Sequence, residues 1–417
     1  MLLYGKAFTR QDIVRRCGSH KQFFGVRLYE MGDGAARGVR ALEFRTGSGL
    51  RFNVLVDRAF DIGDAEFQGA NIGWNSPTDV RHPAYHSPND ERGLSWLRSF
   101  SGLLMTCGLD HTLFMASESA EHYIYPGRTT IDFPLHGRIA NTPGELHGYG
   151  ESWAGDDCLL WCEGIVTQAT VFGENLQLLR RIEARVGESS FTIRDRVINH
   201  GFYRTPHMFL YHINVGYPVL DEGSEYVAPI RKVIWAAHAA QLRKQNAGYR
   251  IQPGPMACFT EQVYEHAMAC DGEGKVPVGL VNRAFGGGRG LGFAIETDVR
   301  EFPCHFQWQN FQEGLYAHAI EPSTHHVLGR AGAKERGEMI WLEQGEERRY
   351  TTRFTVLEDN EQIERFTARV HAIAIQPQEN FAAPSGEFAA LATRVDQERD
   401  SRGTGAPRTP RKSRSAP

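Results

Sequence analysis

The sequence predicts a mainly β protein, a large antiparallel β-sandwich with few short helices, and three observations carry that prediction. Apolar and polar residues alternate with period two through many short runs. The 44 glycines and 19 prolines punctuate those runs as turns, and helical periodicity is scarce. Alternation gives each strand one apolar face, and two facing sheets are the natural way to bury many such faces.

Taken along the chain, the runs at 24–29, 39–44 and 51–56 read as strands. Leu159-Leu160-Trp161-Cys162-Glu163-Gly164-Ile165-Val166 reads as another. Ile182-Glu183-Ala184-Arg185-Val186 and Phe191-Thr192-Ile193-Arg194-Asp195-Arg196-Val197 flank Gly187-Glu188-Ser189-Ser190, a hairpin turn by composition. Further strands read at 208–214, 291–295 and 350–356. Ile363, Phe366, Val370 and Ile373 have the spacing of one amphipathic face and predict a short helix after the last strand. Residues 260–269 read as a second short helix. Gly286-Gly287-Gly288 lacks the Lys-Ser/Thr of a phosphate loop and reads as a flexible turn.

This gives an N-terminal segment at 1–23, one β-sandwich domain at 24–375 and a tail at 384–417. The tail is rich in Ala, Ser, Gly, Pro and Arg, cannot bury enough apolar surface to offset its ordering entropy, and is expected to be disordered. Of the 417 residues 23% are charged, with a net charge of −4, so no global field draws the chain to nucleic acid or to a membrane. No apolar run approaches the roughly 18 residues of a spanning helix. Residues 1–11 lack the apolar stretch of a secretory signal, and the 7 cysteines have no disulfide framework and read as reduced, buried thiols. A cytoplasmic protein is expected.

Four polar constellations are not explained by alternation. In the first, Arg58 lies between Asp57 and Asp61 at the end of an apolar strand. Its planar fork can hold a sugar hydroxyl or a carboxylate, or take part in a structural ion pair. In the second, Phe133-Pro134-Leu135-His136-Gly137-Arg138, His136 and Arg138 would share a face of an extended segment, with His147 following. In the third, 205–218, alternation points Met208, Leu210, His212 and Asn214 one way and His207, Phe209, Tyr211 and Ile213 the other. The fourth runs from Gln307 to Thr324 and holds Trp308, His318 and Glu321-Pro322. A carboxylate before proline at a strand end is rigidly held, and aromatic rings suit the apolar face of a pyranose.

These segments carry a resemblance. His136-Gly137 after Phe133-Pro134-Leu135 looks like the His-Gly segment of aldose 1-epimerase relatives. Tyr211-His212-Ile213-Asn214 resembles their Asn-His-x-Tyr-Phe-Asn strand, with Tyr211 in place of the first Asn. Ala319-Ile320-Glu321-Pro322 resembles the late Leu-Glu strand, and 337–346 the final hairpin, with Gln344 where Pro is usual. Within that superfamily the chain most resembles the DUF4432 branch, by Val56-Asp57-Arg58, Asp61-Ile62, residues 100–109 and Glu321-Pro322. The resemblance implies a galactose mutarotase-like supersandwich. It implies Glu321 as catalytic base and His212 as acid, with Arg58 and His136 orienting hydroxyls. Arg138, Asn214, Trp308 and His318 are further substrate-binding candidates.

Mutarotation needs a base for the O1 proton and an acid for the ring oxygen, both tuned toward working pH. Neither a cofactor nor a metal is required, and the expected partner is a small-molecule sugar or sugar acid. Arg58, Arg92, Arg98 and Arg138 hint at an anionic substituent. Two other readings stand beside this one. A metal-dependent sugar isomerase or lyase would draw on the 17 histidines, among them His207, His212, His305, His318, His325 and His326 with Glu321, although no His-Glu-x-x-His motif is present. A non-catalytic sugar-binding protein is the second.

Overall fold

A computed structural model describes residues 1–237, 248–377 and 388. Two large antiparallel sheets dominate them. The smaller has 8 strands in the order Glu145–Ala154, Asp157–Ala169, Asn175–Arg185, Ser190–Asn199, Glu347–Leu357, Leu291–Asp298, Lys275–Asn282 and Glu225–Val227. The larger has 11 strands. From one edge it runs Ile230–Ala237, Gln262–Met268, Cys304–Asn310, Ala317–Ser323, Leu210–Val215, Leu104–Cys107, Asp61–Phe67, Leu50–Leu55, Arg40–Arg45 and Gly25–Glu30, with Ala70–Asn71 paired to Asp61–Phe67.

The period-two runs form these strands for the reason expected. In Asn175–Arg185 burial alternates residue by residue, with Leu176, Leu178, Arg180, Ile182 and Ala184 turned inward. The inward faces of both sheets form one apolar cluster. Stacked rings cross it: Phe44 on Phe52 at 4.8 Å, Phe52 on Phe191 at 4.4 Å and Phe191 on Phe354 at 4.6 Å. Each fully buried Phe contributes roughly 1.5–3 kcal/mol. Leu3 and Ile13 of the N-terminal segment join the same cluster.

A buried polar bridge fixes the sheets to each other. Arg180 of the smaller sheet binds Asp195 at 2.6 Å and reaches Asp61 of the larger sheet at 3.1 Å. Asp61 also accepts from the Thr106 backbone N–H at 3.0 Å and hydroxyl at 2.6 Å. Tyr211 donates its hydroxyl to Asp195 at 2.5 Å. This bridge seats the strand that carries His212, because Tyr211 and His212 lie on opposite faces of it.

The predicted C-terminal helix is present at Asn360–Ile373, capped by Asp359, with Ile363 and Val370 buried. The helix expected at 260–269 is instead the strand Gln262–Met268, with Gln262, Tyr264, His266 and Met268 buried. Helix-forming Glu, Ala and Met are overridden by pairing to a neighbour on each side. Cys158 and Cys162 face inward and, with the other five cysteines, are free thiols. Among the described residues no helix is long and apolar enough to cross a membrane. Nearly all of the expected tail, 384–417, lies outside the described residues.

Candidate functional site

The outer face of the larger sheet, turned away from the smaller one, floors a cleft of about 580 Å³. Antiparallel register places strand neighbours on the same face: Leu210 pairs with Ser323 and Ile213 with Ile320, which sets His212 directly across from Glu321. Phe306 pairs with Glu321 and Trp308 with Ala319 on the next strand. The segment carrying Leu94, Trp96, Leu97 and Phe100, and that carrying Leu113 to Met115, close over this floor.

His212 and Glu321 are both almost fully buried, and His212 Nε2 lies 3.3 Å from Glu321 Oε1. The orientation of Asn214 decides the tautomer. Its Nδ2 donates to the Gly102 carbonyl at 3.0 Å and to the His212 carbonyl at 3.3 Å, so its Oδ1 faces His212 Nδ1 at 2.6 Å. Nδ1 therefore carries the ring proton and Nε2 presents a lone pair toward Glu321. Burial pulls His212 down to about 3, against the bond from Asn214. Burial pushes Glu321 up to about 8, with the Glu261 charge adding to it. Near neutral pH Glu321 thus keeps its proton beside a neutral imidazole whose Nε2 is bare.

Aromatic rings surround this pair. Phe100 lies 4.8 Å from the His212 ring, while Trp96, Trp308 and His136 each lie at 5.5 Å. Trp308 donates its indole N–H to Glu261 at 2.9 Å. Trp96 Nε1, His136 Nδ1 and Glu321 Oε1 are buried without a hydrogen-bond partner, so the cleft holds both a donor and an acceptor for a polar guest. His136 reaches the cleft from a turn with φ 59°, followed by Gly137 at φ 80°. A Cβ at residue 137 would lie 2.2 Å from the Gly108 carbonyl oxygen and 2.4 Å from that of His111, so only glycine fits.

The family described as Domain of unknown function (DUF4432) matches residues 36–356, which include the whole of this site. The chain belongs to that family. Among solved structures, a Klebsiella pneumoniae protein described as a candidate aldose 1-epimerase is similar with a TM-score of 0.74 and 23% identity, over 87% of this chain and 90% of that one. A galactose mutarotase-like protein from Clostridium acetobutylicum is similar with a TM-score of 0.53 and 12% identity, over 80% and 99%. At these identities the likeness establishes the fold, a galactose mutarotase-like sandwich. No curated protein matches the sequence.

The residues by which the DUF4432 resemblance was read are largely the scaffold of the cleft. Asp57 binds Arg40 at 2.5 Å and Asp61 binds Arg180. Gly102 receives Asn214, and Leu104–Cys107 pairs with the His212 strand. Arg58 does not reach the cleft. Its guanidinium is fully buried and donates to the carbonyls of Ala140, Arg81 and Ser99, and burial without a bonded carboxylate pulls it down to about 10. It ties together the segments of Arg81, Ser99 and Ala140, the second of which closes over the cleft.

Two more expectations are corrected by geometry. Arg138 parts from His136 because the segment turns rather than extends. Arg138 lines a separate polar pocket, donates to the Asp132 carbonyl at 2.6 Å and lies 3.9 Å from Asp110. His318 sits on the opposite face of the Glu321 strand, in the core between the sheets, and accepts from Gln307 at 2.8 Å. Odd spacing from Glu321 puts it there. His147 is exposed on the smaller sheet. The histidines considered as metal ligands do not converge: His207 binds the Leu109 carbonyl and the Tyr350 hydroxyl, and His325 binds Thr324.

Trp96, Phe100 and Glu261 belong to the cleft and were not singled out as site residues. Trp96 lies in the short 3-10 helix Ser95–Arg98 and Phe100 just after it, a stretch too short for a periodicity to read. Glu261 borders the strand misread as a helix, where it would pass for a solvated helix residue.

Proposed function

We propose that the protein is a carbohydrate-binding enzyme that interconverts sugar anomers by acid–base catalysis at His212 and Glu321. The observation that carries the reading is the pair itself: two titratable groups on adjacent strands, 3.3 Å apart, at the floor of an aromatic cleft. O1 and the ring oxygen of a pyranose share one carbon, so a single pair of neighbouring groups can serve both.

The resting proton on Glu321 favours the reverse of the roles implied by resemblance. Glu321 delivers its proton to the ring oxygen while His212 Nε2 takes the O1 proton. The C1–ring-oxygen bond breaks and an open-chain aldehyde forms. After rotation about C1–C2, His212 returns its proton to the carbonyl oxygen, and Glu321 takes back the proton of the attacking hydroxyl. Atoms balance and the pair is restored. Asn214 positions His212 and holds its tautomer. Trp308 and Trp96 offer stacking surfaces for a sugar ring, and His136 and the Trp96 indole N–H offer polar contacts.

Among the described residues lining the cleft there is no Lys or Arg, while Glu261 is acidic and Glu321 keeps its proton. This supports a neutral aldose rather than a sugar acid. The test is saturation-transfer NMR of anomer exchange over a panel of neutral aldoses and uronates. Accelerated exchange of a neutral aldose supports the reading, and a panel without acceleration rejects it.

A further inference from the structure

Away from the cleft centre, Glu265, Cys304 and His326 offer a carboxylate oxygen, a sulfur and a ring nitrogen that all lie within 4.8 Å of one another. We propose that these three residues form a binding site for a divalent transition-metal ion of the zinc class. The proposal is independent of the sugar reading.

The fold brings the three together from separate elements. Glu265 pairs with Phe306 across adjacent strands, and Cys304 lies two residues before Phe306, so both side chains stand on the outer face of the larger sheet. His326 comes from the turn that follows the strand Ala317–Ser323. Its Nδ1 contacts Glu265 Oε1 directly and lies 3.4 Å from Cys304 Sγ. The three donor atoms are of the types that bind such an ion, and they come from three separate segments to one point. With Cys304 deprotonated on binding, one ion at the centre would take all three as ligands.

The donor set selects the ion. One sulfur, one nitrogen and one oxygen make three protein ligands with a fourth position open, a zinc pattern, and a thiolate disfavours calcium and magnesium. The site is also supported and reachable. Glu265 Oε2 accepts the Val327 N–H at 3.1 Å, which fixes the carboxylate from behind. Glu265 and Cys304 are 0% and 3% exposed, whereas the His326 side chain is 29% exposed and leaves an entry path.

Phe306 separates this cluster from the proposed catalytic pair. Glu265, Phe306 and Glu321 form one transverse row across three strands, so the ion would sit about 10 Å from Glu321, two strand spacings away. At that distance it does not hold the sugar oxygens. It ties two strands to the turn that leads into the helix Gly329–Glu335.

The test uses the full chain, stripped with chelator and titrated with Co²⁺, following the near-ultraviolet thiolate-to-cobalt charge-transfer absorption. The expected result is saturation at one ion per chain, bleaching by Zn²⁺, and no such absorption in Cys304→Ser. His326→Ala, a change at a part-exposed side chain that leaves the core intact, is expected to weaken Co²⁺ binding at least about tenfold. Absence of the absorption in the wild type, or equal absorption and affinity in both variants, overturns the proposal.

Discussion

His212 Nε2 and Glu321 Oε1 face each other across 3.3 Å, and Glu321 Oε1 makes no hydrogen bond there. The two groups are held close by strand register yet left open to a guest. Their burial drives the ordinary protonation order apart, with the carboxyl keeping its proton and the imidazole refusing one. Pairs of titratable groups whose environments separate them in this way mark acid–base sites.

Glu321 should make stability depend on pH. Its carboxyl is raised from 4.5 to about 8, so the folded chain binds that proton more tightly than the unfolded chain. The stabilisation is fully present below the unfolded value and is lost as pH rises through about 8. Glu321→Gln has no such proton to lose. Relative to wild type it should gain on the order of 3 kcal/mol between about pH 5 and about pH 8. Denaturant unfolding of both proteins at the two pH values measures this, and a constant difference contradicts it.

Asn214 should act through His212. Replacing its amide oxygen by a carboxylate in Asn214→Asp places a negative charge on Nδ1–H and raises the His212 pKa from about 3. NMR titration of labelled histidine reads the change directly. An unaltered His212 would show that Asn214 does not govern its proton.

Trp308 and His318 are ten residues apart and should behave differently. Trp308→Ala removes a wall of the cleft and should raise KM for the sugar about tenfold, the equivalent of about 1.4 kcal/mol of binding. His318→Ala removes one of Gln307's three buried partners, leaving the Tyr249 carbonyl and His266, and should cost about 1–3 kcal/mol of stability with kcat and KM unchanged. Kinetics and unfolding on both variants separate the two roles, and loss of catalysis in folded His318→Ala contradicts the assignment.

Arg58→Met should destabilise the fold by about 3 kcal/mol or more, because three backbone carbonyls lose their donor. Any preference between neutral and acidic sugars should persist, since the guanidinium is spent on those carbonyls. A changed preference in folded Arg58→Met contradicts this.

Much of this was legible in the sequence, and the remainder has identifiable causes. Alternation gave the strands and the two faces of 208–214, because a half-buried strand must alternate. It placed His212 and Asn214 together with Leu210, as the structure does. The same rule applied to His318 and Glu321 separates them, since three residues apart means opposite faces. Their joint appearance in one motif obscured that. Alternation failed at His136 and Arg138, where a left-handed turn sends neighbours apart. It failed at 262–268 because pairing overrode helix propensity, and Glu261 and Glu265 were lost with it. Trp96 and Phe100 sit in and just after the single 3-10 turn Ser95–Arg98, too short to carry a periodic signal.

The most direct test of the account is anomer exchange by NMR on the preferred aldose, wild type against Glu321→Gln and His212→Ala. Each variant, folded, should lose at least about 100-fold of the enzymatic rate. Full turnover in Glu321→Gln would contradict it.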